Sequence, residues 1–190
     1  MRQNIFLRMK AGMTVLLLLG GLALATTPAL AGSAAEIDQE VRLSLEKLYA
    51  ASPAAVELAK VAKGILVFPN VVKAGLVIGG QYGEGALLVG GQTVGYYNTL
   101  AASYGLQAGA QTFGFAMFLM TSDALAYLDK SDGWEVGVGP TVVIMDEGLA
   151  KSMTTSTAKD DIYAFTFGQK GLMAGIGLQG SKITRINPEK

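Results

Sequence analysis

Residues 64–122 constrain the fold more than any other part of the chain, because only two of them, Lys73 and Glu84, carry a charge. The segment is rich in glycine and β-branched residues, and Gly, Gln, Asn or Pro interrupts every apolar run. A membrane-spanning helix needs about 20 consecutive, mostly apolar residues, so none is predicted here. The pattern instead favours short, largely buried β-strands joined by tight turns.

Periodicity and turn chemistry predict where these strands and turns lie. Phe113, Phe115, Met117 and Leu119 alternate with mostly smaller residues, which indicates a strand with one bulky face. Glycines repeated along one face suggest close packing against that face or a sharp bend of the sheet. Three segments are interpreted as turns: Pro69-Asn70, Gly83-Glu84-Gly85 (with Glu84 at an exposed hairpin tip) and Gly168-Gln169-Lys170-Gly171. Strands are predicted over residues 65–68, 71–80, 86–91, about 103–111, 113–120, 134–145 (a strand pair or one bent strand), 162–167, 172–178 and 181–186.

Helices are predicted ahead of the strands. Ser33-Ala34-Ala35-Glu36 fits a capping box, and Ser52 followed by Pro53 fits the start of a second helix that Gly64 would stop. The first helix has an apolar stripe, made by Ile37, Val41, Leu45, Leu48 and Tyr49. Its polar face is net acidic, so we expect it to cover the core rather than lie in a membrane interface. A short helix is expected from Ser122-Asp123 to about Leu128. The fold class is α+β, with N-terminal helices on a glycine-rich, mostly antiparallel, strongly curved sheet, barrel- or sandwich-like.

The N-terminal segment has the pattern of an export signal. Arg2, Arg8 and Lys10 precede an uncharged, mostly apolar run over residues 11–25, and Ala29-Leu30-Ala31 supplies small residues for a signal peptidase. We therefore predict a signal peptide over residues 1–31, cleaved between Ala31 and Gly32. A single domain would follow over residues 32–190, helical over 33–63 and β-rich over 64–187.

Charge and residue usage exclude several function classes. Removing the three basic residues of 1–31 leaves 12 basic and 15 acidic residues, a net charge of −3, which disfavours nucleic-acid binding. The chain has no histidine and no cysteine, which removes the usual nucleophilic triads and most zinc sites. The acids Asp129, Asp132 and Glu135 do not match a calcium loop and are interpreted as a solvated turn. We predict no catalytic residue, no metal site and no cofactor.

Six basic residues lie in or next to the β-rich part of the sequence. Together they are candidates for binding anionic lipid headgroups, provided that the fold brings them into one patch. If it does not, they are scattered solubilising charges. These residues are Lys60, Lys63, Lys73, Lys170, Lys182 and Arg185.

Several spaced motifs resemble the SYLF-domain family. They are the run from Ala62 to Pro69, Lys73-Ala74-Gly75 with the cluster from Gly79 to Gly85, the segment from Trp134 to Pro140, and Phe165–Gly175 continuing to Leu178-Gln179-Gly180-Ser181. The resemblance covers about residues 36–187. It implies a non-enzymatic lipid-binding module, since eukaryotic members bind phosphoinositides and membranes and yeast members also bind actin. The basic segment that precedes the domain in eukaryotic members has no counterpart here.

The expected function is therefore an exported protein that binds lipid membranes, of the phosphoinositide or anionic-lipid type, without catalysis. The alternative is a structural or stress-related envelope protein that acts through protein–protein contacts, with actin-type binding implied by the family alone. The expected location is the periplasm or the exterior, with peripheral attachment to a membrane left open. Anionic lipids are the expected partners, nucleic acid is not, and a protein partner is unidentified.

Overall fold

The structure is a computed structural model that describes residues 32–75, 78–104, 109–128, 133–145, 150, 153, 156–171, 178 and 180–189. The predicted signal peptide up to Ala31 lies outside the described residues. So do Asp129 and Asp132, the acidic pair Asp146-Glu147, and nearly all of the strand predicted over 172–178.

Two helices open the described chain as predicted. Helix α1 spans Ala34–Ala51, and its capping box forms between Ser33 and Glu36. Helix α2 spans Pro53–Val61, with the Ser52 side chain accepting from the Ala55 N–H. It ends through Ala62 in an extended conformation, so the predicted stop at Gly64 is wrong and Gly64 instead begins the first strand. A third helix, α3, spans Ser122–Tyr127 and is capped by Thr121.

Within the described residues, eight strands form one strongly curved, half-barrel sheet. Their bounds are β1 Gly64–Gly75, β2 Ile78–Val89, β3 Gln92–Tyr104, β4 Gly109–Leu119, β5 Trp134–Glu135, β6 Val142–Met145, β7 Ile162–Gly171 and β8 Lys182–Ile186. The strand order is β5-β8-β3-β2-β1-β4-β7-β6. Each described pair is antiparallel except β6–β7. The predicted fold class, α+β with helices on a curved and mostly antiparallel sheet, is confirmed.

The sheet buries a separate apolar cluster on each face. The α1 stripe and α2 pack on one face, which we call the outer face, against Val67, Ala86, Phe118 and neighbouring side chains. The other cluster joins Tyr97 and Ile183 from one half of the sheet to Ile162 and Ala164 from the other half. We call this second face the inner face. The prediction that α1 covers the core is confirmed.

Strand β1 continues without interruption through Pro69-Asn70, so the turn predicted there is wrong. The register of β1 shifts at this point against both of its neighbours, between Val67 and Asn70 on the β2 side and between Phe68 and Val71 on the β4 side. A β-bulge is where an interior strand tolerates a proline, because proline cannot donate to the ladder. Pro69 therefore marks a bend in a central strand.

Glycines on both neighbouring strands face this bulge. A Cβ on Gly85 would lie 2.0 Å from the Val67 carbonyl oxygen, and one on Gly83 would lie 2.7 Å from Val71 Cγ2. On β4, a Cβ on Gly114 would lie 2.6 Å from the Pro69 carbonyl oxygen. Only glycine permits such an approach, which agrees with the predicted close packing of strand glycines.

The turn predicted at Gly83-Glu84-Gly85 is accordingly wrong, because these residues lie in the interior of β2. The hairpin between β2 and β3 instead turns at Gly90 and Gly91, whose φ angles are +58° and +79°. Two consecutive positive φ values are typical of a two-residue type I′ hairpin. The turn predicted at Gly168–Gly171 also lies within a strand, β7.

Candidate functional site

The six candidate basic residues do not form one patch. Lys60 lies in α2, where it pairs with Glu57, and Lys63 follows that helix at the end of the sheet where β1 begins. Lys73, Lys170 and Lys182 lie towards the opposite end of the sheet. Arg185 is further along β8, where its guanidinium lies over the Tyr97 ring at 5.9 Å and donates to the Val94 carbonyl oxygen.

Lys170 and Lys182 stand at the two ends of one cross-strand row on the outer face. Starting from β7, the register pairs Lys170 with Thr112, then Val72, Tyr82, Leu100 and finally Lys182 on β8. Paired residues of antiparallel strands point to the same side of a sheet. At about 4.8 Å per strand, the two lysine Cα atoms are about 24 Å apart along the sheet.

The middle of this row is apolar and open. Val72 is 52% exposed, Tyr82 46% and Leu100 56%. The next outer-face row consists of small exposed residues, and Ile78 beyond it is 67% exposed. We call this surface the apolar face; its residues are Val72, Ala74, Ile78, Gly80, Tyr82, Leu100, Ala102 and Ala110. Between Lys170 and Lys182, the described residues of these two rows include no charged side chain.

A polar row separates the apolar face from helix α1. It pairs Asn70 with Glu84, Glu84 with Asn98, and Asn98 with Thr184. Asn70 Nδ2 donates to Glu40 Oε2 on α1 at 3.0 Å. Tyr82 OH donates to Glu84 Oε1 at 2.6 Å. Burial and the neighbouring Glu84 carboxylate raise the pKa of Tyr82 to about 12, so the phenol stays neutral.

Lys73 points to the inner face, away from the apolar face. It lies in register between Gln81 and Gln111, both of which are buried. Gln81 Nε2 donates to Ser181 Oγ at 3.1 Å. Among the described residues, Gln111 Oε1 and Thr99 Oγ1 are buried without a hydrogen-bond partner. This end of the inner face is therefore polar, and Lys73 belongs to it.

A cleft of about 400 Å³ lies on the outer side between the end of α1 and β7. Leu48, Met145, Phe165 and Phe167 line it, together with Lys47. The lining is therefore mostly apolar and includes one lysine.

The carboxylate of Asp161 bonds to two threonines. Asp161 Oδ2 accepts from the N–H and the hydroxyl of Thr141, each at 3.0 Å, and Asp161 Oδ1 accepts from the Thr121 hydroxyl at 3.3 Å. Bonds from Thr141 and, to a smaller extent, Thr121 lower the Asp161 pKa. No group of three or more acids capable of holding a metal occurs in the described part of the chain. None of the described helices has the length and apolarity needed to cross a membrane.

The structure thus defines a small β-rich domain with an exposed, lysine-bordered apolar face, the arrangement of a binding module. Residues 100–189, from the middle of β3 to the C-terminal tail, match the family model Ysc84, described as Las17-binding protein actin regulator. This match confirms the SYLF resemblance over these residues, where the chain is similar to the Ysc84 (SYLF) family. The matched residues include Leu100 and Ala102 of the apolar face and the two lysines at its border, Lys170 and Lys182. No curated protein matches the chain.

Reasoning from the sequence missed the apolar face. Val72, Tyr82 and Leu100 are far apart in the chain, and each resembles an ordinary strand residue. The uncharged composition of residues 64–122 was a signal in favour of lipid binding, but it did not show which side chains are exposed. Only the register of three strands reveals that these side chains share an open row.

Proposed function

We propose that the protein is exported and binds anionic lipid membranes, without catalysis, through the apolar face and the lysines at its borders. The observation that supports this most strongly is the row from Lys170 to Lys182, with three exposed apolar side chains between two cations. The match to a family of lipid- and actin-binding-type domains supports it further.

The physical reason is that such a row suits the boundary between headgroups and acyl chains. Completing the burial of a half-exposed Val, Leu or Ile contributes about 1 kcal/mol. Each lysine near an anionic surface adds about 1 kcal/mol. The polar row along Glu84 limits the contact on the side of α1. Binding of this size is reversible and depends partly on salt.

The test is co-sedimentation of the exported, purified protein with phosphatidylcholine vesicles, with and without phosphatidylglycerol. We expect binding that requires the anionic lipid and weakens with salt. K170A and K182A should each weaken binding about fivefold, which corresponds to about 1 kcal/mol. The matched control is K63A, which removes the same charge from the opposite end of the sheet.

A second pair of variants separates the apolar contribution from the charge. L100S removes an exposed leucine from the apolar face, and L43S removes an equally exposed leucine from α1. We expect several-fold weaker binding for L100S and unchanged binding for L43S. Equal effects of both variants, or salt-resistant binding that K170A and K182A leave unchanged, would shift the site to the cleft between α1 and β7. No binding to any vesicle would overturn the lipid proposal and leave protein contacts as the function.

A further inference from the structure

Glu84 is the single acidic residue of residues 64–122, and its carboxylate has no cationic partner among the described residues. Oε1 accepts from the Tyr82 hydroxyl at 2.6 Å. Oε2 accepts from the main-chain N–H of Gly32 at 2.9 Å. Its register neighbours Asn70 and Asn98 are neutral. A half-buried carboxylate in an apolar sheet is costly unless a positive charge compensates it.

Gly32 is the residue that the predicted cleavage would make the first of the mature chain. Hydrolysis of the Ala31–Gly32 peptide bond by a signal peptidase adds the hydroxyl of water to the Ala31 carbonyl and its hydrogen to the Gly32 nitrogen. The free amine then takes a further proton from solvent. A neutral amide with one N–H becomes an ammonium group with three donors and a full charge, at the same position 2.9 Å from Glu84 Oε2.

We propose that Glu84 is the receptor for the mature N-terminal ammonium, so that processing creates an ion pair that fastens the start of α1 to strand β2. The inference rests on the export half of the proposed function and is independent of lipid binding. The ion pair explains why an acidic residue occupies position 84. It also places the mature N-terminus beside the apolar face, since Tyr82 shares the Glu84 carboxylate.

The side-chain charges around the ammonium position all favour the charged amine, and they oppose the partial positive charge at the N-terminus of α1. Glu36 accepts from the Ser33 N–H, and Glu40 lies about one turn further along α1. The Glu189 main-chain carbonyl accepts from the Ala34 N–H at 2.8 Å. Tyr82 stays neutral up to a pH of about 12. Nearby carboxylates raise an amine pKa above its ordinary value of about 7.7–8.0. Stability from the pair is therefore complete below about pH 7.7 and is lost as the pH rises through the raised value.

The experiment uses the exported and processed protein, and intact mass first establishes its N-terminal residue. Thermal unfolding is then compared for the wild type, E84Q and E46Q between pH 6 and pH 10. Glu46 is an exposed acid on α1, so E46Q matches the change of charge. We expect E84Q to unfold roughly 2–4 °C below the wild type at pH 7, with this deficit shrinking towards pH 10. E46Q should follow the wild type throughout.

The pKa of the Gly32 amine, measured by NMR, gives a second readout that does not depend on stability. It should lie above 8.0 in the wild type and return to the ordinary range in E84Q. An ordinary amine pKa in the wild type, or an E84Q deficit that is constant with pH, would overturn the ion pair while leaving export intact. A protein that retains residues 1–31, or begins elsewhere, would overturn both the inference and the predicted cleavage. Lipid binding would then still be judged by the vesicle experiment.

Discussion

At the scale of single residues, the sheet depends on glycine mainly because several strand positions have no room for a Cβ atom. Turn formation is the smaller part of its role in this sheet. Gly83, Gly85 and Gly114 flank the β1 bulge, where backbone and side-chain atoms occupy the space that a Cβ would need. Interiors are packed densely enough that an added methyl group must displace its neighbours. The bulge in β1 therefore requires glycine at these three positions of the neighbouring strands.

We expect Gly85→Ala to lower the free energy of unfolding by about 3 kcal/mol, because the new Cβ would collide with the Val67 carbonyl. Gly80→Ala on the same strand is the control, since its Cβ would meet only the Ala101 carbonyl oxygen, at 3.7 Å. Urea unfolding of both variants measures the difference. Equal stability of the two would show that the bulge relaxes freely.

Asp161 ties together the ends of three segments through Thr121 and Thr141. Its pKa is lowered, so its contribution to stability is present above the unfolded value of about 3.9 and is lost as the pH falls through the lower folded value. We expect Asp161→Asn to lower the free energy of unfolding by about 1–2 kcal/mol at pH 7. The difference in free energy of unfolding between Asp161→Asn and the wild type should shrink as the pH falls. Unfolding measured from pH 7 to pH 2 would contradict this if the difference stayed constant.

At the scale of elements, helix α1 is a cover for the sheet. Ile37, Val41, Leu45 and Leu48 are buried on the outer face, and the acidic side chains of the helix point elsewhere. Two contacts near the start of the helix fix its position, one between Gly32 and Glu84 and one between Asp38 and Thr93 at 2.8 Å. An apolar stripe already packed in this way is not available to a membrane.

We expect Leu45→Ala to destabilise the protein by about 2–5 kcal/mol, as other large-to-small substitutions in a core do. Leu43→Ala on the solvent side of the same helix should change stability by less than about 0.5 kcal/mol. Denaturant unfolding gives both values. A Leu45→Ala protein with normal stability and weakened vesicle binding would instead identify α1 as the membrane-binding element.

At the scale of the whole molecule, charge and apolar surface are distributed so that one end suits a membrane. Lys170 and Lys182 border the apolar face, whereas α1, on the same side of the sheet, carries Glu36, Asp38, Glu40 and Glu46. Repulsion of these acids by anionic lipid would tilt α1 away from the surface. Docking should therefore place β1, β2 and β3 against the headgroups at the end of the sheet that lies beyond α1.

The orientation can be measured because the chain contains no cysteine. A dye sensitive to its environment, attached to Ala102→Cys on the apolar face, should shift its emission to the blue when anionic vesicles are added. The same dye on Ala50→Cys, an exposed position near the end of α1, should not respond. A response at Ala50 without one at Ala102 would contradict the proposed orientation.

Part of this fold could be predicted because its signals are local. The capping box at Ser33, the cap at Ser52 and the alternation of Phe113, Phe115 and Met117 depend on neighbours within a few residues. Pro69, Gly83 and Gly85 misled the prediction, since turn chemistry and a bulge favour the same residue types. The site could not be predicted, because the register of three strands decides that Val72, Tyr82 and Leu100 share a row.

The sequence by itself determined that two helices precede a β-rich region, the apolar stripe of α1 and the near absence of charge over residues 64–122, because periodicity and composition are properties of the chain. The tertiary structure alone decided that Lys170 and Lys182 border one apolar face while Lys73 points inward. It also decided that Glu84 meets Gly32 rather than solvent. Both outcomes depend on curvature and register, which arise when distant segments pack together and which no single segment encodes.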